Sequence, residues 1–168
     1  MRDIFGKKGI DNEIILLREK KIERCDGCVE YCNKNLDCHK KDDMPLIYKK
    51  IKEADGYVLV CPNYFKMPPG IFKDFIDRCS IFYTAQTDLS KKGAIVICVG
   101  ADDPKNIDAC LNNIAENFCK TLGIPVVVKK SFHSKSELKG NYDDIFETNK
   151  DLEKELEQMA DKLIKNLK

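Results

Sequence analysis

Four cysteines fall close together at Cys25, Cys28, Cys32 and Cys38, in the stretch CDGCVEYCNKNLDC. Thiolates are soft ligands and good nucleophiles, so such a run points to metal or redox chemistry. The spacing C-x2-C-x3-C-x5-C leaves four readings open. Compact thiolate runs hold iron–sulfur clusters, and this one is close to the bacterial ferredoxin type. Structural zinc takes two short pairs separated by a longer gap, which this stretch lacks. A C-x2-C redox dithiol needs only two of the four. The remaining reading is four free thiols in a loop. His39 adjoins Cys38 and reads either as a substitute ligand or as a solvated loop histidine.

The other five cysteines, Cys61, Cys79, Cys98, Cys110 and Cys119, are scattered through apolar segments and read as small buried residues. A total of nine is odd, and the opening MRDIFGKKGIDNEIILLREKK has no apolar signal region, so no disulfide framework is expected. The charges nearly cancel, with 29 Lys and Arg against 28 Asp and Glu. That balance gives no electrostatic case for nucleic acid or an anionic membrane as a partner. The longest apolar run, GAIVICVGA, is too short to span a bilayer. The chain therefore reads as a soluble, cytoplasmic protein.

The 168 residues suffice for one domain, 1–168, with the cysteine-rich loop at 25–38 inserted in it. Segments 57–61, 94–100 and 124–130 are short, rich in β-branched residues and apolar on consecutive positions, as in strands covered on both faces. Residues 12–19 are a fourth candidate strand. Helices are expected between them, at 42–56, 68–83 and 102–123, with Asp103 as N-cap, Pro104 at the first helical position and Gly123 as the stop. The apolar stripe of that third helix is Ile107, Cys110 with Leu111, Ile114, Phe118 and Leu122. A final helix from about residue 149 buries Leu152, Leu156, Met159, Leu163 and Leu167. The stretch 131–144 reads as an exposed polar loop, and His133 within it is given no role. This alternation predicts an α/β fold with a doubly wound parallel sheet, in which ligands bind beyond the carboxyl ends of the strands. Those ends are CPNYFKMPPG and VGADDPK.

From Cys25 to Arg78 the chain resembles the iron–sulfur flavoproteins of the NAD(P)H-dependent FMN reductase group. The resemblance is carried by the compact cysteines, then KDDM, EADG before an apolar strand, a P-x-Y-F turn, and a helix ending FIDR. Beyond Arg78 it continues only through the order of strands and helices. It implies a flavodoxin-like fold, a 4Fe–4S cluster held by Cys25, Cys28, Cys32 and Cys38, and FMN against the turn Pro62, Asn63, Tyr64 and Phe65. It further implies electron transfer between the two centres, exchange with NAD(P)H or a redox partner protein, and a homo-oligomer. No residue is nominated as a general acid or base, because the cofactors supply the chemistry.

Three departures accompany the resemblance. The family's opening strand and its Ser/Arg/Asn/Thr-rich phosphate loop have no counterpart here. The first, central strand of the sheet is therefore expected to be missing, and FMN to bind weakly or not at all. Residues 12–19 must then pair directly with 57–61, or a gap must be filled from elsewhere. Next, Asp102 and Asp103 stand where the family often has glycines, although Asp103 is expected mainly to cap its helix. Last, the x3 spacing between Cys28 and Cys32 differs from the ferredoxin run. The alternatives are a flavin-free iron–sulfur carrier, a zinc-stabilised partner module, and a truncated product whose start is set too late.

Overall fold

The computed structural model describes residues 1–140 and 144–167. The helices are α1 (Arg2–Lys7), α2 (Val29–Asn35), α3 (Met44–Glu53), α4 (Gly70–Arg78), α5 (Ser80–Thr84), α6 (Pro104–Ile114), α7 (Ile145–Thr148) and α8 (Lys150–Asn166). The strands are β1 (Gly56–Pro62), β2 (Gly93–Gly100) and β3 (Val126–His133), parallel and in the order β1-β2-β3. β2 is apolar on consecutive positions because both of its faces are covered. Ala94, Val96 and Cys98 join the core beneath α3 to α6, whereas Ile95 and Ile97 join the core beneath α1 and α8. The result is the expected α/β layering, with helices on both faces of a parallel sheet.

Residues 12–19 do not form a strand. They run as extended chain into a single 3-10 turn, Leu17–Glu19, that lies against α4. The apolar alternation is present, with Ile15 and Leu17 packed on the core while Ile14 and Leu16 face solvent. A helix, however, offers no ladder of hydrogen bonds to an extended neighbour. These residues therefore neither pair with 57–61 nor fill a gap. Among the described residues β1 is paired only on its β2 side, and the sheet order does not reverse.

β3 begins and ends later than the 124–130 expected. Pro125 cannot donate to a ladder, and its carbonyl accepts from Ala94 N instead. Ser131, Phe132 and His133 continue the register beside Cys98, Val99 and Gly100. The polar stretch 131–144 is thus strand at its start, and its residues 141–143 lie outside the described residues. The third helix has the expected caps: Asp103 Oδ1 accepts from Lys105 N at 2.8 Å, and Gly123 has φ +72°. A π turn at Ala115–Cys119 carries the helix to that stop, with Lys120 N and Ile124 N bonding five residues back. Cys61, Cys79, Cys98, Cys110 and Cys119 are all buried, as expected. No helix among the described residues is long and apolar enough to cross a membrane.

Candidate functional site: a cavity at the strand ends and a clamped cysteine loop

Beyond the carboxyl ends of the three strands lies a cavity of about 700 Å³. Its lining brings together Pro62, Asn63, Tyr64 and Phe65 after β1, Gly100, Ala101 and Asp102 after β2, and Ser134 after β3. Volume and position are those of a small-molecule site in an α/β sheet. Asn63 ties the first wall to the second, its N–H donating to Val99 O at 2.7 Å. A Cβ on Gly100 would sit 3.1 Å from Asn63 Cβ and 3.0 Å from Ile107 Cγ1, so glycine permits this close approach. Asn63 is buried, yet its Oδ1 has no hydrogen-bond partner. A buried acceptor left unpaired costs about 1–3 kcal/mol, so its presence in the wall of a cavity points to a ligand donor.

Tyr64 and Met67 exchange backbone hydrogen bonds across a two-residue turn. The turn residues, Phe65 and Lys66, have φ of +52° and +67°. Glycine and asparagine are the residues that ordinarily adopt this primed-turn geometry. Phe65 is moreover 97% exposed, so burial does not repay the strain. Phe65→Gly should therefore raise stability, since about 1–2 kcal/mol of left-handed strain outweighs about 0.5–1 kcal/mol of added unfolded-state entropy. Thermal melting of the two proteins checks it; an unchanged or lower Tm counts against strain at Phe65.

One acid, Asp102, stands in the cavity lining. Asp102 accepts from Asn106 Nδ2 and from Asp103 N, and these bonds hold its carboxyl below the ordinary range. No Lys, Arg or His lines the cavity among the described residues.

The second feature is the cysteine loop. Cys28 precedes α2, which carries Cys32 one turn on, and the two sulfurs stand 4.0 Å apart. Gly27, at φ +68°, turns its N–H to 3.5 Å from Cys25 Sγ. His39 Nδ1 is 3.5 Å from Cys28 Sγ, and its ring meets Tyr31 edge-on at 5.2 Å. His39 is therefore part of the cluster rather than a loosely solvated loop residue. Burial first, then hydrogen bonding with Cys28, pushes the Cys32 thiol up to about 11. A cation bound beside it would favour the thiolate. Of these five residues no three bring their ligand atoms within 4.8 Å of one another. A single tetrahedral ion needs all its sulfurs about 3.8 Å apart. As placed, the motif thiols do not form a closed tetrahedral set.

The loop is held at its neck. Asp42 and Arg78 form a pair whose side chains are 0–1% exposed, with Asp42 Oδ2 2.6 Å from Arg78 NH1 and Oδ1 3.2 Å from NH2. Arg78 NH1 also donates to Glu23 O, and Glu23 N donates to Asp42 Oδ2, each at 2.8 Å. Beside them Lys21 N donates to Asp43 Oδ2, and Asp43 N donates to Lys21 O. The chain entering the loop is thereby stitched to the chain leaving it. Burial opposes ionisation of Asp42, but bonds from Arg78, Glu23 N and Met44 N prevail and hold its carboxyl below the usual value. KDDM and FIDR are the two halves of this clamp. The sequence signal for it is Arg78 on the apolar stripe of α4 with Phe72 and Phe75, where a charge requires a buried partner.

The fold and its cavity define a flavodoxin-like α/β protein with a ligand site at the strand ends. Residues 1–137 match the family of NADPH-dependent FMN reductases, and the chain belongs to that family, in its iron–sulfur flavoprotein branch. It is 33% identical to an iron–sulfur flavoprotein of Archaeoglobus fulgidus over 100 residues, 59% of this chain and 51% of that protein. It is 31% identical to one from Methanocaldococcus jannaschii over 122 residues, 71% of this chain and 61% of that one. The chain thus spans about half the length of the curated relatives it matches. Among solved structures, a quinone reductase from Klebsiella pneumoniae superposes with TM-score 0.67 at 15% identity, covering 94% of this chain and 75% of that one. That likeness bears on the fold alone.

Proposed function

We propose that this chain is an electron-transfer oxidoreductase that takes FMN in the cavity at the strand ends and a 4Fe–4S cluster on Cys25, Cys28, Cys32 and Cys38. The observation that carries the reading is Asn63 Oδ1, a buried acceptor without a partner in the wall of a cavity of flavin-compatible size. Asn63 would accept from the flavin's edge, Tyr64 and Phe65 would cover its ring, and Gly100 keeps that wall thin. The bound groups supply one- and two-electron chemistry. The protein's own part is to hold them, exclude water and set their surroundings. The four motif thiols fit the cluster as a donor set, and the Asp42–Arg78 clamp fixes their loop. NAD(P)H or a redox protein is the proposed partner, in the cytoplasm, with the chain acting as a homo-oligomer through its unpaired β1 edge.

Anaerobic purification followed by assay of iron, acid-labile sulfide, zinc and released flavin tests the reading. Iron and sulfide together with FMN are the expected result. Zinc without sulfide, or neither metal nor flavin, overturns it. A second reading, a flavin-free iron–sulfur carrier, draws on the cavity's electrostatics. The lining offers no cation to a phosphate, and Asp102 repels one. Iron and sulfide without flavin, unchanged when excess FMN is added, is the outcome that favours it.

A further inference from the structure

Directly beneath the cavity floor, and apart from the cysteine motif, three more cysteines converge. Cys61 on β1 and Cys98 on β2 are partners in register, and α6 places Cys110 above them. Their sulfurs are 3.7 Å apart for Cys61 and Cys98 and 3.6 Å apart for Cys98 and Cys110, and all three lie within 4.8 Å of one another. Among the described residues this is the one such group of possible ligands. All three residues are at most 3% exposed, and Cys61 also lines the cavity.

From this geometry we infer that Cys61, Cys98 and Cys110 form a three-sulfur site for a soft monovalent metal ion, copper(I) being the case that fits. Sulfur-only donors select soft ions. Bonds of about 2.3 Å to a central ion put the sulfurs about 3.8–4.0 Å apart, so the triangle closes around an ion after shifts of a few tenths of an ångström. Zinc in a closed site takes four donors, and the described thiols bond only to one another. On binding, the S–H bond of each ligating cysteine breaks and its proton passes to solvent, because the thiolate is the ligand. Three sulfur–copper bonds form in place of the three S–H bonds. Copper stays at +1 and no electron moves. The cavity gives the ion its way in, past Cys61. The site stands independently of flavin and of the cluster.

The test uses the full chain with Cys25, Cys28, Cys32 and Cys38 replaced by Ser, titrated anaerobically with copper(I) against a chromophoric copper(I) chelator. One copper per chain is expected, with ultraviolet sulfur-to-copper absorption. Adding Cys98→Ser or Cys110→Ala should weaken binding by at least about tenfold, the loss that changes even outside the ligand set can cause. No copper retained against the chelator, or retention unaffected by both substitutions, overturns the site. Should the fourfold variant fail to fold by circular dichroism, copper(I) is added to the native protein with its motif cysteines occupied. X-ray absorption then reads the ligands. Three sulfurs at about 2.3 Å support the site. Nitrogen or oxygen ligands, displaced iron, or no bound copper refute it.

Discussion

Asp42→Ala is expected to destabilise the protein by about 3–5 kcal/mol, because it leaves the Arg78 guanidinium buried without its counter-charge. Arg78→Ala should cost a similar amount, by stranding the carboxylate. Against a total stability of about 5–15 kcal/mol, either change removes a large share, and chemical denaturation measures it. The two substitutions should not add. The double variant is expected to be more stable than the sum of single losses implies, since it buries no unpaired charge. Additive losses would show that the pair is not a unit. The acid limb of the stability profile follows from the same contact. The folded-state carboxyl of Asp42 titrates below its ordinary value of 3.8, so its contribution is complete above that value. It is lost as pH falls through the folded-state value. Asp42→Asn should flatten that part of the profile.

Cys32→Ser is expected to abolish iron retention, whereas Cys79→Ser, in the core at the end of α4, should leave iron content unchanged. Cys32 is the motif thiol that packs against the core, and burial first pushes its sulfur up to about 11. A cation bound beside such a group favours its thiolate, so ligation and ionisation are linked there. Its serine variant offers a poorer donor at the same place. Iron and sulfide assay after anaerobic reconstitution, with the fold checked by circular dichroism, reads the result. Iron retained by the Cys32→Ser protein would remove Cys32 from the ligand set. Asp42→Ala should also lower iron content wherever the protein still folds, because the two ends of the loop are then no longer held together.

The sequence made the sheet legible because β2 and its neighbours are apolar on consecutive positions, which only two covered faces require. The caps of α6 were equally legible, since Asp103, Pro104 and Gly123 act through local backbone chemistry. Residues 12–19 misled for a related reason. Their alternation correctly marks one inward face, but periodicity does not say whether the neighbour is a strand or, as here, the side of α4. The clamp escaped because its halves, Asp42 and Arg78, stand far apart in the chain, and the motif cysteines just before Asp42 drew the chemical reading. The strand end marked the stretch CPNYFKMPPG, and the family resemblance picked out the turn Pro62 to Phe65 within it. Neither the unpaired Asn63 oxygen nor the strained Phe65 follows from residue type. The triad of Cys61, Cys98 and Cys110 depends on strand register and on the rotation of a helix, and composition carries neither.

The bare edge of β1 ties two equilibria together. The strand that forms one wall of the cavity, through Val60 to Phe65, is also the strand whose outer row of amides and carbonyls has no protein partner among the described residues. Any extended segment that adds there extends the sheet and walls the cavity in one step. Its binding and the cavity's occupancy would then be thermodynamically linked, each strengthening the other by the same factor. At a fixed concentration of free ligand, the occupancy of such a pocket would fall as the protein is diluted, whereas that of a pocket built by one chain would not.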